Sequence, residues 1–497
     1  MKRYRPYAPN QSFLLPPSPS EWLPEGHLAY FVQEMVDDLD LGEIERALQA
    51  KDPRGERSYS PRMMTALLIY GYSTGVFSAR RLGRATFEDV AFRVLAAGDH
   101  PHFTTINEFR NRHREALANL FGQVLRMCQS VGLVKLGHVA IDGTKMKANA
   151  SKHKAMSYDR MKKDEARIAA EVEALLSKAE QVDAEEDALY GVGEDPLDLP
   201  AELQRREDRI AKIREARAAL EKDARRARAA VLRQQAVDLR AKAEQPIHST
   251  RDRKTAATLA AKRDLQASLF DDDDSDPPPS MPSDDLPVGT PPMNADGKPT
   301  PKAQRNFTDP ESRIMVRDGG FIQAYNAQLA VDGPSQVIVA AALSNNAADA
   351  GYFEPLLSRT VNNCGAVPET VTADAGYFSE SNIQVAESLG SEPFVSVGKH
   401  RNDGTLEERP EHSGRLSPSR LAMRELLNSP RGRAIYARRK STVEPVFGQI
   451  RCCQGFQKLS FRGLFKSRCE WTFVALAHNV RKLFRAAAAA PTALAAA

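Results

Sequence analysis

The feature that most constrains this fold is an interruption. A short strand pattern, His138-Val-Ala-Ile-Asp142-Gly143, is followed from 155 to 246 by a charged stretch rich in Ala, Glu, Lys and Arg, and strand patterns return only after about residue 305. Within that stretch Met161, Ile168, Leu175 and Val182 recur every seven residues, with Val172 and Ala179 between them, and Leu203, Ile210, Ile213 and Leu220 continue the series. A seven-residue apolar repeat among charged neighbours specifies helices that bury a narrow seam. The breaker Gly191-Val-Gly-Glu-Asp-Pro196 falls between the two series, so the expectation is two antiparallel helices, a coiled-coil hairpin that packs on itself or on a second subunit. A mixed sheet split in sequence by a helical insertion follows.

The remaining segments are set by composition. Residues 1–20, rich in Pro and Ser, read as a disordered tail, and 21–136 as a helical region. In that region Pro61 opens an apolar helix and Thr105-Ile-Asn-Glu108 has the form of a capping box. A helix starting there carries Arg110, Arg112 and Arg114 close together, which suits either a face laid against DNA or an ordinary basic surface. The insertion spans 151–268. From 269 to 304 acids and prolines crowd out large apolar residues, which predicts a disordered acidic, Pro-rich linker. The sheet domain is then 137–150 plus 305–486, with Tyr325–Asp332 and Gln336–Leu343 as a hairpin, a short helix at Tyr352–Leu357, and strands at Glu369–Asp374 and Pro393–Val397. Residues 487–497 form a low-complexity tail.

Net charge is only +4, but its distribution is uneven. From Arg431 to Arg485 there are 13 Lys or Arg against Glu444 and Glu470, whereas Asp271 to Asp296 holds eight acids and no base. A basic face for a polyanion and an acidic linker elsewhere fit that asymmetry. Five cysteines without a C-x-x-C spacing suggest neither a disulfide framework nor a zinc site. The basic start lacks the apolar run of a signal peptide, and no apolar run approaches the ~18 residues that cross a bilayer. The expectation is a cytoplasmic protein with no membrane partner. No G-x-x-x-x-G-K-[ST] phosphate loop occurs, so nucleotide-driven chemistry is not supported. His100-Pro-His102 has metal-site spacing but no further ligands nearby, and His478 lies on an amphipathic helix where packing is the default.

Three acids carry chemistry. Asp142 and Asp374 each end a strand pattern before a turn, and side chains alternate along a strand, so each shares a side with the residues two and four before it. Two acids at adjacent strand ends repel unless a cation lies between them, and an oxygen-rich pair suits Mg²⁺ or Mn²⁺. Taken singly, an Asp beside Gly reads more readily as a turn signal. Glu444 lies in Tyr436-Ala-Arg-Arg-Lys-Ser-Thr-Val-Glu444-Pro-Val-Phe-Gly-Gln-Ile-Arg451. On one helix Lys440, Glu444 and Arg451 form a stripe beside the apolar Val443, Val446, Phe447 and Ile450. Ser441-Thr-Val-Glu444 is equally a capping box, and Pro445 would kink a helix that began near Arg433.

These segments together resemble the DDE transposases of bacterial insertion sequences. The resemblance rests on phrases that occur in order: His138-Val-Ala-Ile-Asp-Gly-Thr-Lys-Met-Lys-Ala-Asn-Ala-Ser151, Asp309-Pro-Glu-Ser-Arg-Ile-Met315, Gly320-Phe-Ile-Gln-Ala-Tyr-Asn-Ala-Gln328, Val371-Thr-Ala-Asp-Ala-Gly-Tyr377, Val443-Glu-Pro-Val-Phe-Gly448 and Ala475-Leu-Ala-His-Asn479. It implies an α/β fold: an RNase H-like catalytic domain with a mixed five-stranded sheet, interrupted by the coiled-coil insertion and preceded by an all-α DNA-binding domain. Asp142, Asp374 and Glu444 would be the catalytic and metal-holding acids, with two Mg²⁺ or Mn²⁺ ions as cofactor. Many relatives carry a Tyr, Arg, Glu, Lys series around the third acid. Here Tyr436, Lys440, Glu444 and Arg451 come nearest, with Arg439 an alternative to Lys440. Arg462, Lys466 and Arg468 join them as candidate DNA-binding residues. The implied partners are double-stranded DNA (terminal repeats and target) and further copies of the chain, as a homodimer or higher oligomer on the nucleoid. Hydrolysis at the element's end would free a 3′-hydroxyl that attacks target DNA. The competing readings are a metal-dependent nuclease that cuts without joining, and a catalytically dead DNA-binding, dimerising relic.

Overall fold

The computed structural model describes residues 21–50, 58–190, 201–244, 249–270, 285–398 and 417–494. The expected N-terminal tail, the breaker at 191–196 and the acidic run 271–284 lie outside them.

The first region is helical: α1 (Leu28–Asp38), α2 (Gly42–Gln49), α3 (Pro61–Thr74), α4 (Ala79–Glu88), α5 (Val90–Leu95), α6 (Phe103–Arg112) and α7 (Arg114–Ser130). Helix α3 opens with Pro61 behind Ser60, where the missing N–H costs nothing. Helix α6 starts two residues earlier than the Thr105–Glu108 phrase predicts, behind His102, so that phrase lies inside the helix and caps nothing. Its arginines do not share a face either. Arg110 turns inward, donating to the Tyr72 hydroxyl (3.2 Å) and the Phe77 carbonyl (2.9 Å), with its guanidinium 4.7 Å from the Phe461 ring centre. Tyr72 in turn donates to the buried Glu470 at 2.9 Å. A buried carboxylate within this chain recruits Arg110 in preference to solvent or an external anion.

The sheet is built from β1 (Val139–Lys147) and, beyond the insertion, β4 (Arg313–Arg317), β5 (Gly320–Asp332), β6 (Ile338–Ser344), β7 (Thr370–Ala373) and β8 (Glu392–Val395). β5 runs antiparallel to β1 along all nine residues of the latter. On its other side it pairs with β4 through Gly320–Ala324 and with β6 through Asn326–Val331. β1, β7 and β8 are parallel. The sheet therefore has six strands instead of five, β4 extending one edge. Helix α11 (Phe353–Cys364) is longer than the short helix expected near 352–357. It precedes β7, and α12 (Glu380–Leu389) precedes β8. Then come α13 (Pro418–Asn428), α14 (Pro430–Thr442), α15 (Glu444–Gly448) and α16 (Leu464–Leu494), so the expected tail at 487–497 is helical through Leu494.

One apolar cluster runs from Ala29 in α1 through Ile141, Leu329 and Phe394 in the sheet to Trp471 and Leu483 in α16. The N-terminal helices and the sheet thus share a single core. Its centre is Trp471, fully buried, whose indole N–H donates to the Gln328 carbonyl at 3.1 Å.

The insertion leaves the sheet through a short strand β2 (Ala155–Ser157), which pairs with β3 (Gln304–Asn306) on the way back. Between them lie α8 (Tyr158–Tyr190), α9 (Ala201–Glu244) and α10 (Thr250–Ser268). Met161 and Ile168 bury against Ile210, Ile213 and Ala216, as their heptad spacing predicts. The third helix was not expected. Residues 285–304 also depart from the linker reading. Leu286 and Ala303 are buried, the Gly289 amide donates to the Asn345 side chain at 2.7 Å, and Asp285 pairs with Arg359 at 2.7 Å. A Pro-rich segment poor in apolar residues is held here by polar contacts to the sheet domain, not by a core of its own.

Candidate active site

Strand β1 does not stop at Asp142. It runs on through Gly143 to Lys147, so Asp142 sits mid-strand and the Asp-Gly pair is no turn. Gly143 has another reason to lack a side chain. The Gln328 side chain of β5 lies across it, and a Cβ there would come 2.1 Å from Gln328 Nε2.

The parallel register places the second acid. Ala140 pairs with Thr372, so Asp374, the first residue past β7, comes beside Asp142 of the neighbouring strand, close enough for its charge to raise the Asp142 pKa. Asp374 follows the last residue of β7 and accepts from the Gly376 amide at 2.8 Å. Four residues before Asp142, the buried His138 places its Nε2 3.0 Å from the Oγ1 of Thr372, two residues before Asp374.

The third acid arrives at a break. Helix α14 ends at Thr442 and α15 begins at Glu444. Pro445 has no N–H for the Ser441 carbonyl, and Gln336 Nε2 donates to that oxygen instead at 2.9 Å. The kink anticipated at Pro445 is present, and the capping box is not: Val443 precedes the new helix without a side-chain cap. A π-turn at Gln449–Cys453 follows. These breaks take Arg451 off the expected stripe. It lies instead beside Arg317, burial and that like charge lowering its pKa.

Arg439 ties the acids together. Its guanidinium donates to Asp142 Oδ2 at 2.9 Å and to Glu444 Oε1 at 3.4 Å, and it is nearly buried, whereas Lys440 beside it is exposed. The cation at the site is therefore Arg439. Tyr436, one turn earlier on α14, has its ring 5.8 Å from the Arg439 guanidinium carbon. Burial raises its pKa, and it feels Arg439, Ser396 and Asp374. Asp142 is pushed up to about 6, first by burial. Arg439 and the Gly143 amide oppose the rise, and repulsion from Asp374 and Glu444 adds to it. Three acids far apart in sequence thus sense one another. The other candidates do not converge with them: Arg462 donates to the Asn149 carbonyl, Arg468 to the Leu343 carbonyl, and Lys466 is exposed.

A network not foreseen from the sequence backs the acids. Tyr377, buried in the turn after Asp374, donates to Gln328 Oε1. Gln328 Nε2 donates to Asp349 Oδ1 at 2.9 Å, as do Asn326 at 2.7 Å and Lys145 at 3.1 Å. Gln328 is the residue that crosses Gly143. The network therefore couples the Asp374 turn to the strand that bears Asp142. Gln328 and Tyr377 belong to conspicuous phrases, but Asp349, in Asn345-Asn-Ala-Ala-Asp349, carries no sequence signal.

Among the described residues no three His, Cys, Asp or Glu side chains stand close enough to cage one ion, because Asp142 and Glu444 both turn to Arg439. The donors are nonetheless all carboxylate oxygens, and a cation already occupies the space between two of them. That donor set suits a hard divalent ion such as Mg²⁺ or Mn²⁺.

A mixed sheet with one aspartate on a strand, a second just past the parallel neighbouring strand and a glutamate from a following helix defines a class of carboxylate-centred α/β proteins. Comparison with known families then gives the particular one. Residues 17–112 match the transposase domain (DUF772), and residues 298–480, which include Asp374 and Glu444 but not Asp142, match the transposase DDE domain. The chain belongs to the DDE-type insertion-sequence transposases. No curated protein and no solved structure matches it. No described helix is long and apolar enough to cross a membrane.

Proposed function

We propose that this chain is an active transposase that binds the ends of its insertion sequence, hydrolyses DNA there and joins the 3′-hydroxyl ends to target DNA. The observation that carries the reading is one buried arginine, Arg439, paired with both Asp142 and Glu444, with Asp374 near enough to repel the Asp142 carboxylate. The strand order, three antiparallel strands followed by two parallel ones, supports an RNase H-like sheet, with β4 as an addition.

In this reading Asp142, Asp374 and Glu444 hold two Mg²⁺ or Mn²⁺ ions. Bound there, the ions activate the attacking oxygen and stabilise the leaving one in an in-line displacement at phosphorus. The chain's own residues set the stage. The paired strands fix the spacing of the two aspartates. Tyr377 and Gln328 hold the Asp374 turn against β1. Arg439 neutralises the carboxylates before loading and, once they turn to the ions, is free to face a DNA phosphate beside Tyr436. The helical insertion is the candidate coiled coil, its heptad seam at Met161 and Ile168 closed within the chain.

The test is cleavage of a duplex taken from the DNA flanking the gene, in Mg²⁺, by the parent and by Asp142→Asn, Asp374→Asn and Glu444→Gln. Each variant should lose on the order of 10³-fold or more, since each removes several kcal/mol of transition-state stabilisation. Cleavage retained in all three would sink the triad. Cleavage by the parent without joined product would leave a nuclease.

A further inference from the structure

We propose that the root of the helical insertion is a separate DNA-binding site, a cradle for consecutive phosphates of one duplex strand. The partner, though not the site, rests on the transposase reading. An open cavity of about 570 Å³ lies where Lys154, β2 and Phe307 meet α8 and α9. Its floor is apolar, from Met156, Ile213 and Phe307, and its rim carries Lys154, Arg160, Arg205, Arg209 and Lys212 against the single carboxylate of Asp208.

What sets these cations apart is that they line one concavity. Several arginines near them are matched: Arg214 and Arg217 with Glu165, Arg206 with Glu171, Arg305 with Asp223, Arg240 with Asp264. On the rim, Arg160 has a loose partner in Asp164 at 3.7 Å, while Lys154, Arg205, Arg209 and Lys212 enter no ion pair among the described residues. Like charges left unmatched around one concavity raise the local concentration of an anion. The cations are exposed and the cavity is open, so an extended polyanion fits better than a small buried ligand.

Spacing and position point to duplex DNA. Arg205, Arg209 and Lys212 are four and three residues apart, one face of α9, and span about 10 Å along the helix. One strand of DNA presents a phosphate about every 3.4 Å of axis, so that length covers about three phosphate steps. The cradle is also tethered to the acids. Residues 148–154 run from the end of β1 to its rim. Asn149 donates to the Ser460 carbonyl at 2.7 Å and accepts from Arg462 at 3.1 Å, and Asn306 donates to the Ser151 carbonyl at 2.8 Å. A duplex leaving the acids past Arg462 is led to the cradle.

The test uses the full chain in EDTA, a labelled duplex of the element's end and a series of salt concentrations, read by fluorescence anisotropy. The variant Arg205→Gln/Arg209→Gln/Lys212→Gln should bind at least about tenfold more weakly at low salt. Its slope of log affinity against log salt should be shallower by about 2 to 3, since each lost phosphate contact removes ~0.9. Asp208→Asn should bind more tightly, a change that misfolding cannot mimic. A triple variant with the parent's affinity and slope overturns the cradle while leaving the transposase reading intact, and stronger binding to single-stranded RNA of equal length overturns duplex DNA as the occupant. A variant with all three acids replaced that still cuts, together with the expected slope change in the cradle variant, fails the triad and keeps the cradle.

Discussion

Beside the sheet, one nearly buried arginine serves two carboxylates, Asp142 and Glu444, and nothing else on α14 could take its place. In the insertion the ratio is reversed: two arginines, Arg214 and Arg217, serve one carboxylate, Glu165, and most other pairs are exposed and a turn apart on the same helix. The difference teaches where each charge matters. A carboxylate withdrawn from water needs its partner, and losing it leaves an uncompensated charge. An exposed pair gains little over hydration. The same contrast holds for apolar residues. The sheet region buries Trp471, Tyr325 and Phe394 completely and exposes Val316 and Phe321 at its β4 edge, whereas α9 and α10 leave Val237 and Leu265 exposed.

The largest stability effect should therefore come from the shared core. Trp471→Ala removes the biggest fully buried side chain and orphans the Gln328 carbonyl. It should cost about 3–5 kcal/mol in urea unfolding, and cleavage should fall with it because Gln328 also braces the Asp374 turn. A cost below 1 kcal/mol would mean that the sheet region is no more tightly packed than the insertion.

Arg439→Gln comes next. Asp142 is left buried among Asp374 and Glu444 with only the Gly143 amide to oppose them. Breaking a fully buried pair costs about 3–5 kcal/mol. Because Glu444 is half exposed, about 2–4 kcal/mol is the fairer expectation at pH 7.5. Mn²⁺ should restore most of it, since a bound cation replaces the lost charge, and should bind the variant more tightly than the parent. A variant whose melting temperature ignores Mn²⁺ would break the claim that these carboxylates are a cation site.

How much of this was legible beforehand follows from the same contrast. The apolar run Val139–Ile141 ahead of Asp142 and the seven-residue spacing of Met161 and Ile168 are local patterns, and the structure buries those residues. Arg439 could not be chosen over Lys440 because its partner Asp142 is 297 residues away. Gly143 looked like a turn because glycine's usual service is conformational, while here it clears a path for Gln328. Arg110 looked like surface charge because Glu470, which draws its partner Tyr72, lies at the far end of the chain. Asp349 had no local pattern at all.

Titration tests the sheet region itself, at a smaller scale. Burial lowers His478 to about 3, and its ring N–H donates to the Gln336 carbonyl at 2.9 Å, so it is neutral in the fold. In the unfolded chain its pKa is about 6.5. Its contribution is fully present above pH 6.5 and is lost as pH falls from there towards 3. Asp142 has the opposite sign: with a folded pKa of about 6, above its unfolded value, it disfavours folding above that pH and the penalty lifts on acidification. The parent's stability relative to His478→Gln should therefore shrink by about 1 kcal/mol per pH unit between pH 6.5 and 5. A constant difference would mean that His478 is not held neutral.

The smallest effect is reserved for the insertion. Arg214→Ala removes one of two cations on Glu165, and Arg214 is itself well exposed. Arg217 remains on the other carboxylate oxygen, so Glu165, though largely covered, is never left alone. The single change should cost less than about 0.5 kcal/mol, as exposed pairs do, and Arg217→Ala only somewhat more. Removing both strands Glu165 against α9, and the double variant should lose more than the sum of the singles by about 1 kcal/mol. Strict additivity would show that each arginine acts on solvent alone, and the insertion would then owe its helix pairing entirely to Met161, Ile168, Ile210 and Ile213.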